Sequence, residues 1–440
     1  MREKDLDERV AIVGVGAVTP AGNSAQATWE GFTHSNRSFI TAMSVGRDNF
    51  HSMQLAGKVK DFDPYKYAGG KQLKRSDRYA QFAVAASVEA MLASGRLRMV
   101  TKPNRTTAAV YELIDIDPFR IGVDMGIAVG GSSAIDQGRE DIMLKGPDRI
   151  SPNTISLLNP SKAASDPALI IGALGGAMTH NSACVSGVSG IIELYKKIVR
   201  GDLDMGVGGG TESPLHPLAF YAFQKMGVLV SYEKFKDSPE EAVKSLDVDG
   251  EGFAMGEGVG VLALERYSLA VKRKARILGE IVGPAYFCDP RDVLDPTEKN
   301  VEILVEMILE NSGLEPYEVD HHNLHAGAST GDGTELRGSR RVYKYQTEYI
   351  SFHGPKSRIG HLMGGAGGAE SVILVYAVAT DTDPPTANLK NPREAGFYVP
   401  RRTGRRLIRA GIKTALGLDG QYGGFGVVKP APRYLNYAAA

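Results

Sequence analysis

Only two cysteines, Cys184 and Cys288, stand in 440 residues. That is too few for a disulfide framework and fits a reducing compartment. Neither charge is in excess, because 51 Lys and Arg face 51 Asp and Glu. The balance removes the global field expected of a nucleic-acid or membrane-surface binder. The opening MREKDLDER lacks the apolar core of a secretory signal. No apolar run reads as long enough to span a bilayer, so a cytoplasmic protein is expected. A third glycine is missing as well. Gly14 and Gly16 follow an apolar run, but Thr19 stands where a dinucleotide fingerprint needs its last glycine. The 52 glycines are scattered among apolar runs, which predicts tight turns and closely packed layers instead of disorder.

The apolar pattern predicts alternating strands and helices. In the first half, 10–18, 122–131, 204–210 and 256–266 read as buried strands, and 25–33 and 76–95 as helices. Ser76 is the expected cap of the second helix and Gly95 its stop. Residues 60–75 read as basic and exposed, 102–119 as an irregular insert, 132–166 as a loop-rich surface excursion and 167–176 as a short apolar helix or turn. In the second half, 276–283, 320–325, 349–353, 407–417 and 422–429 read as strands, and 298–312, 335–345 and 367–380 as helices. Strands alternating with helices argue for an α/β fold. The matching order of the two halves suggests an internal duplication, with parts at 1–266 and 267–440.

One stretch carries the first chemical signal. Small residues lead to Cys184, the turn Val185-Ser186-Gly187 follows, and Val188, Ile191, Ile192, Tyr195 and Ile198 then recur at helical spacing. This reads as strand, tight turn and helix, with the thiol in the helix's first turn, where the positive end would lower its pKa and favour an oxyanion. A buried structural cysteine is the plain alternative. Two other polar sites fall at strand ends, where α/β sheets place their sites. His325 and Asp332 lie in HHNLHAGASTGDGTE, and Lys356, His361 and Glu370 lie in GPKSRIGHLMGGAGGAE. Together they supply a nucleophile with an acid–base and oxyanion set.

The blocks VAIVGVGAVTPAGN, NSACVSG, SLDVDGEGFAMGEG, HAGASTGDGTE and PKSRIGHLMGGAGGAES, in this order, resemble a β-ketoacyl-[acyl-carrier-protein] synthase of the type II condensing-enzyme group. The likeness runs from RVAIVGVGAVTPAGN to GGFGVVKPAPRY. It implies a thiolase-like five-layer α-β-α-β-α fold, a homodimer and an acyl-carrier protein as partner. It implies an acyltransferase that condenses an acyl thioester with a malonyl-carrier thioester in fatty acid elongation. By motif, Cys184 resembles the acyl-accepting nucleophile, and His325 and His361 the pair that serves decarboxylation. Lys356 resembles the ordering lysine, with Glu370 and Asp332 in support. No metal and no resident cofactor are implied, since the phosphopantetheine arm arrives on the carrier.

The sequence departs from the family pattern in places. The loop from His325 to Asp332 is one residue short, Gly250 and Glu251 stand where the family commonly has Arg and Asp, and Val185 follows the nucleophile where a smaller residue is usual. Matching Arg433-Tyr434 puts the gate of the terminal glycine-rich turn at Tyr422, with Gly423 and Gly424 beside it. A shifted match puts the gate at Phe425. A pathway-specific polyketide ketosynthase and a weakly active or non-catalytic partner subunit are the competing readings. A degradative thiolase needs a second reactive cysteine late in the chain, and Cys288 lies mid-chain in YFCDP.

Overall fold

The computed structural model describes residues 6–35, 37–46, 51–102, 110–291 and 295–430. Arg433 and Tyr434, which set one register of the terminal motif, lie outside the described residues, as does 103–109 of the expected insert. Ten strands form one mixed sheet: β1 (Val10–Val18), β2 (Ile121–Gly126), β3 (Ala177–His180), β4 (Met205–Glu212), β5 (Gly258–Arg266), β6 (Gly279–Cys288), β7 (His321–Asn323), β8 (Ser351–His353), β9 (Ala410–Gly417) and β10 (Gln421–Val428). The order across the sheet is β8-β7-β9-β10-β6-β1-β5-β4-β2-β3. Read outward from the middle, each half runs first, fifth, fourth, second, third. The pairings match too: first with fifth and fifth with fourth are antiparallel, and the other two are parallel. The halves join where β1 pairs antiparallel with β6, through Val10↔Ile281, Ala11↔Glu280 and Ile12↔Gly279.

Both faces of these strands are covered, which is why they read as continuous apolar runs and not as alternating ones. On β1, Ala11 and Val13 belong to the outer core while Val10 and Ile12 belong to the middle one. Helices α1 (Arg78–Ala93) and α2 (Lys162–Ile171) cover the outer face of the first half. Helices α3 (Ser186–Val199), α4 (Glu298–Ser312), α5 (Gly331–Tyr343) and α6 (Ala366–Thr380) complete the layers. The pair α3 and α6 touches strands of both halves, and α4 packs on β6 and β10 with α5 against it. The layers are therefore α-β-α-β-α. The approach of α6 to the sheet is close enough to exclude side chains: a Cβ on Gly368 would lie 2.1 Å from Gly260 O, and one on Gly260 2.3 Å from Ala369 Cα. Glycine is required on both surfaces.

Several elements differ from the sequence reading. Helix α1 is capped by Asp77, whose side chain accepts from Arg78 N–H; Ser76 instead donates to Asp166. Within the expected 102–119 insert, Val110–Leu113 is a strand paired antiparallel with Leu97–Thr101. The 132–166 excursion holds helices Ser132–Lys145 and Thr154–Leu158 and the start of α2, which carries Pro167 inside it. Gly14 and Gly16 have a packing role, because a Cβ on them would meet the carbonyls of Ala90 and Ala86 on α1 at 2.2 and 2.0 Å. The stretch Met363–Thr380 is long and apolar enough by composition to cross a membrane, contrary to the sequence reading, yet 83% of it is buried inside the protein. It is the central core helix with its leading turn.

Candidate active site

Cys184 sits in the elbow between β3 and α3. The helix begins at Ser186 with Val185 as its N-cap, so the thiol precedes the helix and does not lie in its first turn. Ala183 takes a left-handed φ of 49°, a conformation that costs a residue with Cβ and persists only where neighbours enforce it. Here Ser186 Oγ accepts from Ser182 N–H and donates to Ala183 O at 2.9 and 2.6 Å. The sulfur faces a cavity of about 380 Å³, lined by Phe223, Met226, Phe253, Met363, Leu418 and Tyr422 among others, with His325 and His361 beside it. Burial pushes the thiol up to about 11 from its ordinary 9. Lys356 and the Leu418 N–H, which hydrogen-bonds the sulfur, pull the other way and do not offset it. The expected lowered pKa is therefore reversed: desolvation outweighs the nearby positive groups.

The histidines come from the second half. His361 Nε2 lies 3.1 Å from Cys184 Sγ, and Met363 N–H donates to His361 Nδ1 at 3.1 Å. Burial, then the charges of Lys356 and Lys413, hold this imidazole well below its usual range. We assign its neutral tautomer from that contact: Nδ1 accepts, so Nε2 carries the proton and donates toward the sulfur. The His325 ring meets the His361 ring edge-on, with centroids 5.3 Å apart. Lys356 Nζ donates to His325 O at 2.6 Å and makes a long contact of 3.4 Å to His325 Nδ1. His325 is likewise held well below its usual range, by burial first and then by Lys356, His361 and Lys413. Its Nε2–H is thus the free donor. Backbone strain marks this side as well: Ala326, Ala328 and Met363 all have left-handed φ, at 43°, 61° and 48°.

Behind the histidines lies a dry ionic layer. Lys356 and Glu370 meet at 2.6 Å, both fully buried. Glu335 accepts from the His325 and Ala326 N–H groups at 2.8 and 2.9 Å. Asp332 serves the loop instead of the rings: it accepts from Leu246, Ala328 and Ser329 N–H, and burial raises it to about 6. The structure therefore brings Cys184, His325, His361, Lys356 and Glu370 together and sets Asp332 one step back. No group of three His, Cys, Asp or Glu residues among the described ones is placed to hold a metal ion.

The gate expectation is only partly met. Residues 421–428 form β10, and Gly423 and Gly424 pair with Ala415 and Thr414 inside it, not in a turn. Phe425 is fully buried in the middle core, away from the cavity lining. Tyr422 does line the cavity, with its ring stacked on Phe287 at 4.9 Å. The turn is 418–420, with Asp419 and Gly420 at φ of 60° and 68°, and it begins at Leu418. Sequence reading missed Leu418, Glu335 and Lys413. A lysine inside the apolar run GIKTALG was the one available signal, since a lone charge in a buried strand needs a partner.

The β-ketoacyl synthase N-terminal domain matches residues 7–270 and the β-ketoacyl synthase C-terminal domain matches 278–390. The chain belongs to the β-ketoacyl synthase family. Among curated relatives of this β-ketoacyl synthase, the 3-oxoacyl-[acyl-carrier-protein] synthase 2 of Synechocystis sp. is 33% identical, covering 94% of this chain and 96% of that one. The protein of the same name from Vibrio cholerae is 30% identical over 88% of this chain and 90% of its own. A β-ketoacyl synthase from Burkholderia phymatum superposes with a TM-score of 0.82 at 21% identity, covering 96% of this chain and 99% of that one. A ketosynthase solved in complex with its acyl-carrier protein gives 0.82 at 23%, with the same coverage. At that identity the solved structures establish the fold.

Proposed function

We propose that this protein catalyses the decarboxylative condensation of an acyl thioester with malonyl-acyl-carrier protein, in fatty acid chain elongation. The observation that carries the reading is a half-buried thiol with an Nε2–H donor 3.1 Å away and a second such ring beside it, on a largely apolar cavity. The relatives named above favour elongation of fatty acids over a polyketide pathway. Retention of the thiol and both imidazoles favours an active enzyme over a non-catalytic partner subunit.

In the first half-reaction Cys184 sulfur bonds to the acyl carbon. The carrier's thiol leaves with the proton that Cys184 gives up, so no proton is gained or lost overall. The Leu418 N–H, which already points at the sulfur, would meet the carbonyl oxygen as it becomes negative. In the second half-reaction the bond to the malonyl carboxylate breaks and carbon dioxide departs. Its electron pair moves onto the thioester, whose oxygen receives the Nε2–H groups of His325 and His361. The carbanion carbon then bonds to the acyl carbon, and Cys184 sulfur leaves and takes up a proton. The product is a 3-oxoacyl thioester on the carrier. Lys356 orients His325 and keeps its Nδ1 unprotonated.

An acyl-carrier protein would bring its phosphodiester arm, and Lys71, Lys74 and Arg75, lining a groove whose Lys162 is already paired with Asp166, suit that charge. A homodimer is supported by the open edge of the sheet. Among the described residues strand β3 pairs on one side only, and Leu169, Leu174 and Met178 near it are more than half exposed, an apolar edge that free monomers seldom leave bare. We place the two repeats at 1–266 and 267–440, in a cytoplasmic enzyme.

The test separates the half-reactions. Cys184→Ala is expected to abolish acyl transfer and leave carbon dioxide release from malonyl-carrier protein. His325→Ala is expected to keep acylation and lower release by on the order of a hundredfold to a thousandfold. Labelled carbon dioxide and acyl-enzyme mass are measured on folded variants. Equal loss of both half-reactions in Cys184→Ala, or wild-type release in His325→Ala, overturns the assignment.

A further inference from the structure

Lys413 is a fully buried lysine on β9 that the mechanism above does not use. Its surroundings mirror those of Lys356. Lys356 Nζ holds Glu370 Oε1 at 2.6 Å and the His325 carbonyl at 2.6 Å. Lys413 Nζ holds the other oxygen, Oε2, at 2.6 Å, and the preceding carbonyl, that of Leu324, at 3.2 Å. Its third contact is Thr414 O at 2.8 Å. An ammonium has three donors and no acceptor; Lys356 gives its own to Glu370 Oε1 and to the carbonyl and ring of His325, while Lys413 gives two to the Leu324 and Thr414 carbonyls and meets Glu370 Oε2 as an ion pair. One carboxylate is thus straddled by two ammonium groups, and each also grips one of the consecutive carbonyls of Leu324 and His325.

We propose that Lys413 is a positioning residue of the condensing site, which with Lys356 clamps Glu370 and the 324–325 backbone so that His325 presents Nε2–H to the thiol cavity. The proposal rests on the condensing role given above. The neighbouring residue completes the clamp: Thr414 Oγ1 donates to Glu335 at 2.9 Å, and Glu335 holds the His325 and Ala326 N–H groups. The His325 and Ala326 N–H groups are thus fixed from α5, the Leu324 carbonyl from β9 and the His325 carbonyl by Lys356.

The clamp has an electrostatic side. The charged and titratable groups around the rings are Lys356, Glu370, Lys413, Glu335 and Cys184, with His322 against Lys413 and Asp332 beyond Glu335. The two lysines balance Glu370 and Glu335. Removing Lys413 leaves one cation for two carboxylates, which favours protonating an imidazole. That proton would have to enter at Nδ1. At His361 it would displace the Met363 N–H, and at His325 it would face the Lys356 ammonium. Loss of Lys413 therefore both loosens His325 and makes the donor pair sensitive to acid.

The decisive comparison is wild type against Lys413→Met, with nitrogen-15 histidine spectra and the pH profile of carbon dioxide release from malonyl-carrier protein measured on each. In the wild type both rings are expected to be neutral Nε2–H tautomers near neutral pH. In the variant one or both midpoints should rise by about one unit, with the acid limb of release rising equally and kcat falling more than KM changes. Unchanged midpoints in a folded variant overturn the proposal. Should the Met variant not fold, Lys413→Gln, which keeps two hydrogen-bond donors without the charge, carries the same expectation. A wild-type spectrum with Nδ1 protonated on His325 overturns it without any variant. No carbon dioxide release from the wild type would refute the condensing role, while the spectra would still decide what Lys413 does.

Discussion

At the scale of single residues, the sulfur of Cys184 is the one that departs furthest from expectation. With the thiol pushed to about 11, the thiolate fraction at pH 7 is on the order of one part in ten thousand. A raised thiol pKa means the proton stays bound until the pH approaches that value. Alkylation of Cys184 by iodoacetamide is therefore expected to climb with pH past 9 without levelling off, read by peptide mass. A plateau near neutrality would show a stable thiolate instead. His361 does not remove this proton at rest, because its Nε2 already bears one. Acyl transfer is then expected to be fastest with thioesters whose departing thiol takes the proton as it leaves. Cys184, His325, Lys356 and His361 were readable because each lies in a block of distinctive small residues at a strand end. Glu335, Lys413 and Leu418 were not, because their roles depend on which distant strands lie side by side. GIKTALG reads as a core strand with an odd lysine until Glu370 is seen against it.

Among elements, the hairpin of β9 and β10 decides the shape of the cavity. Its turn holds Leu418, its second strand presents Tyr422 to the cavity, and Phe425 faces the core between the halves. Leu418→Ala and Tyr422→Ala are expected to shift acyl-chain preference, measured with carrier thioesters of several lengths. Phe425→Ala is expected to cost about 3–5 kcal/mol of stability, measured by denaturant unfolding, and to leave that preference alone. Matching the glycine pairs by sequence put the gate on the strand because Gly423-Gly424 looks like a turn. In the folded chain those glycines are paired, and the chain reverses four residues earlier. The same limit applies at Ser132–Lys145, a polar helix in which only Ser132 and Gly138 are buried. Periodicity there has no buried face to report. Helix α4, with Val301, Leu304, Val305 and Ile308 on one buried face, was legible to the residue for the opposite reason.

For the whole molecule, the repeated strand order is the strongest trace of a duplicated chain, stronger than any similarity of letters between the halves. Topology outlasts sequence because many apolar residues serve equally well in a buried strand. The open β3 edge leads to a prediction at this scale. Met178→Lys, placed on that edge, is expected to weaken self-association in analytical ultracentrifugation, while far-ultraviolet circular dichroism stays unchanged. A wild type that sediments as a monomer at micromolar concentration would remove the dimer reading.

The short pairing of β1 with β6 bears on heat. Sulfur and imidazole approach one another from 177 positions apart, one from each repeat, and the sheet is continuous across its midline through three residue pairs. A slight slip between the repeats on warming would part sulfur from imidazole while every helix stayed wound. Turnover should then fade, reversibly, some degrees before the ellipticity does, making the enzyme a thermometer of its own seam.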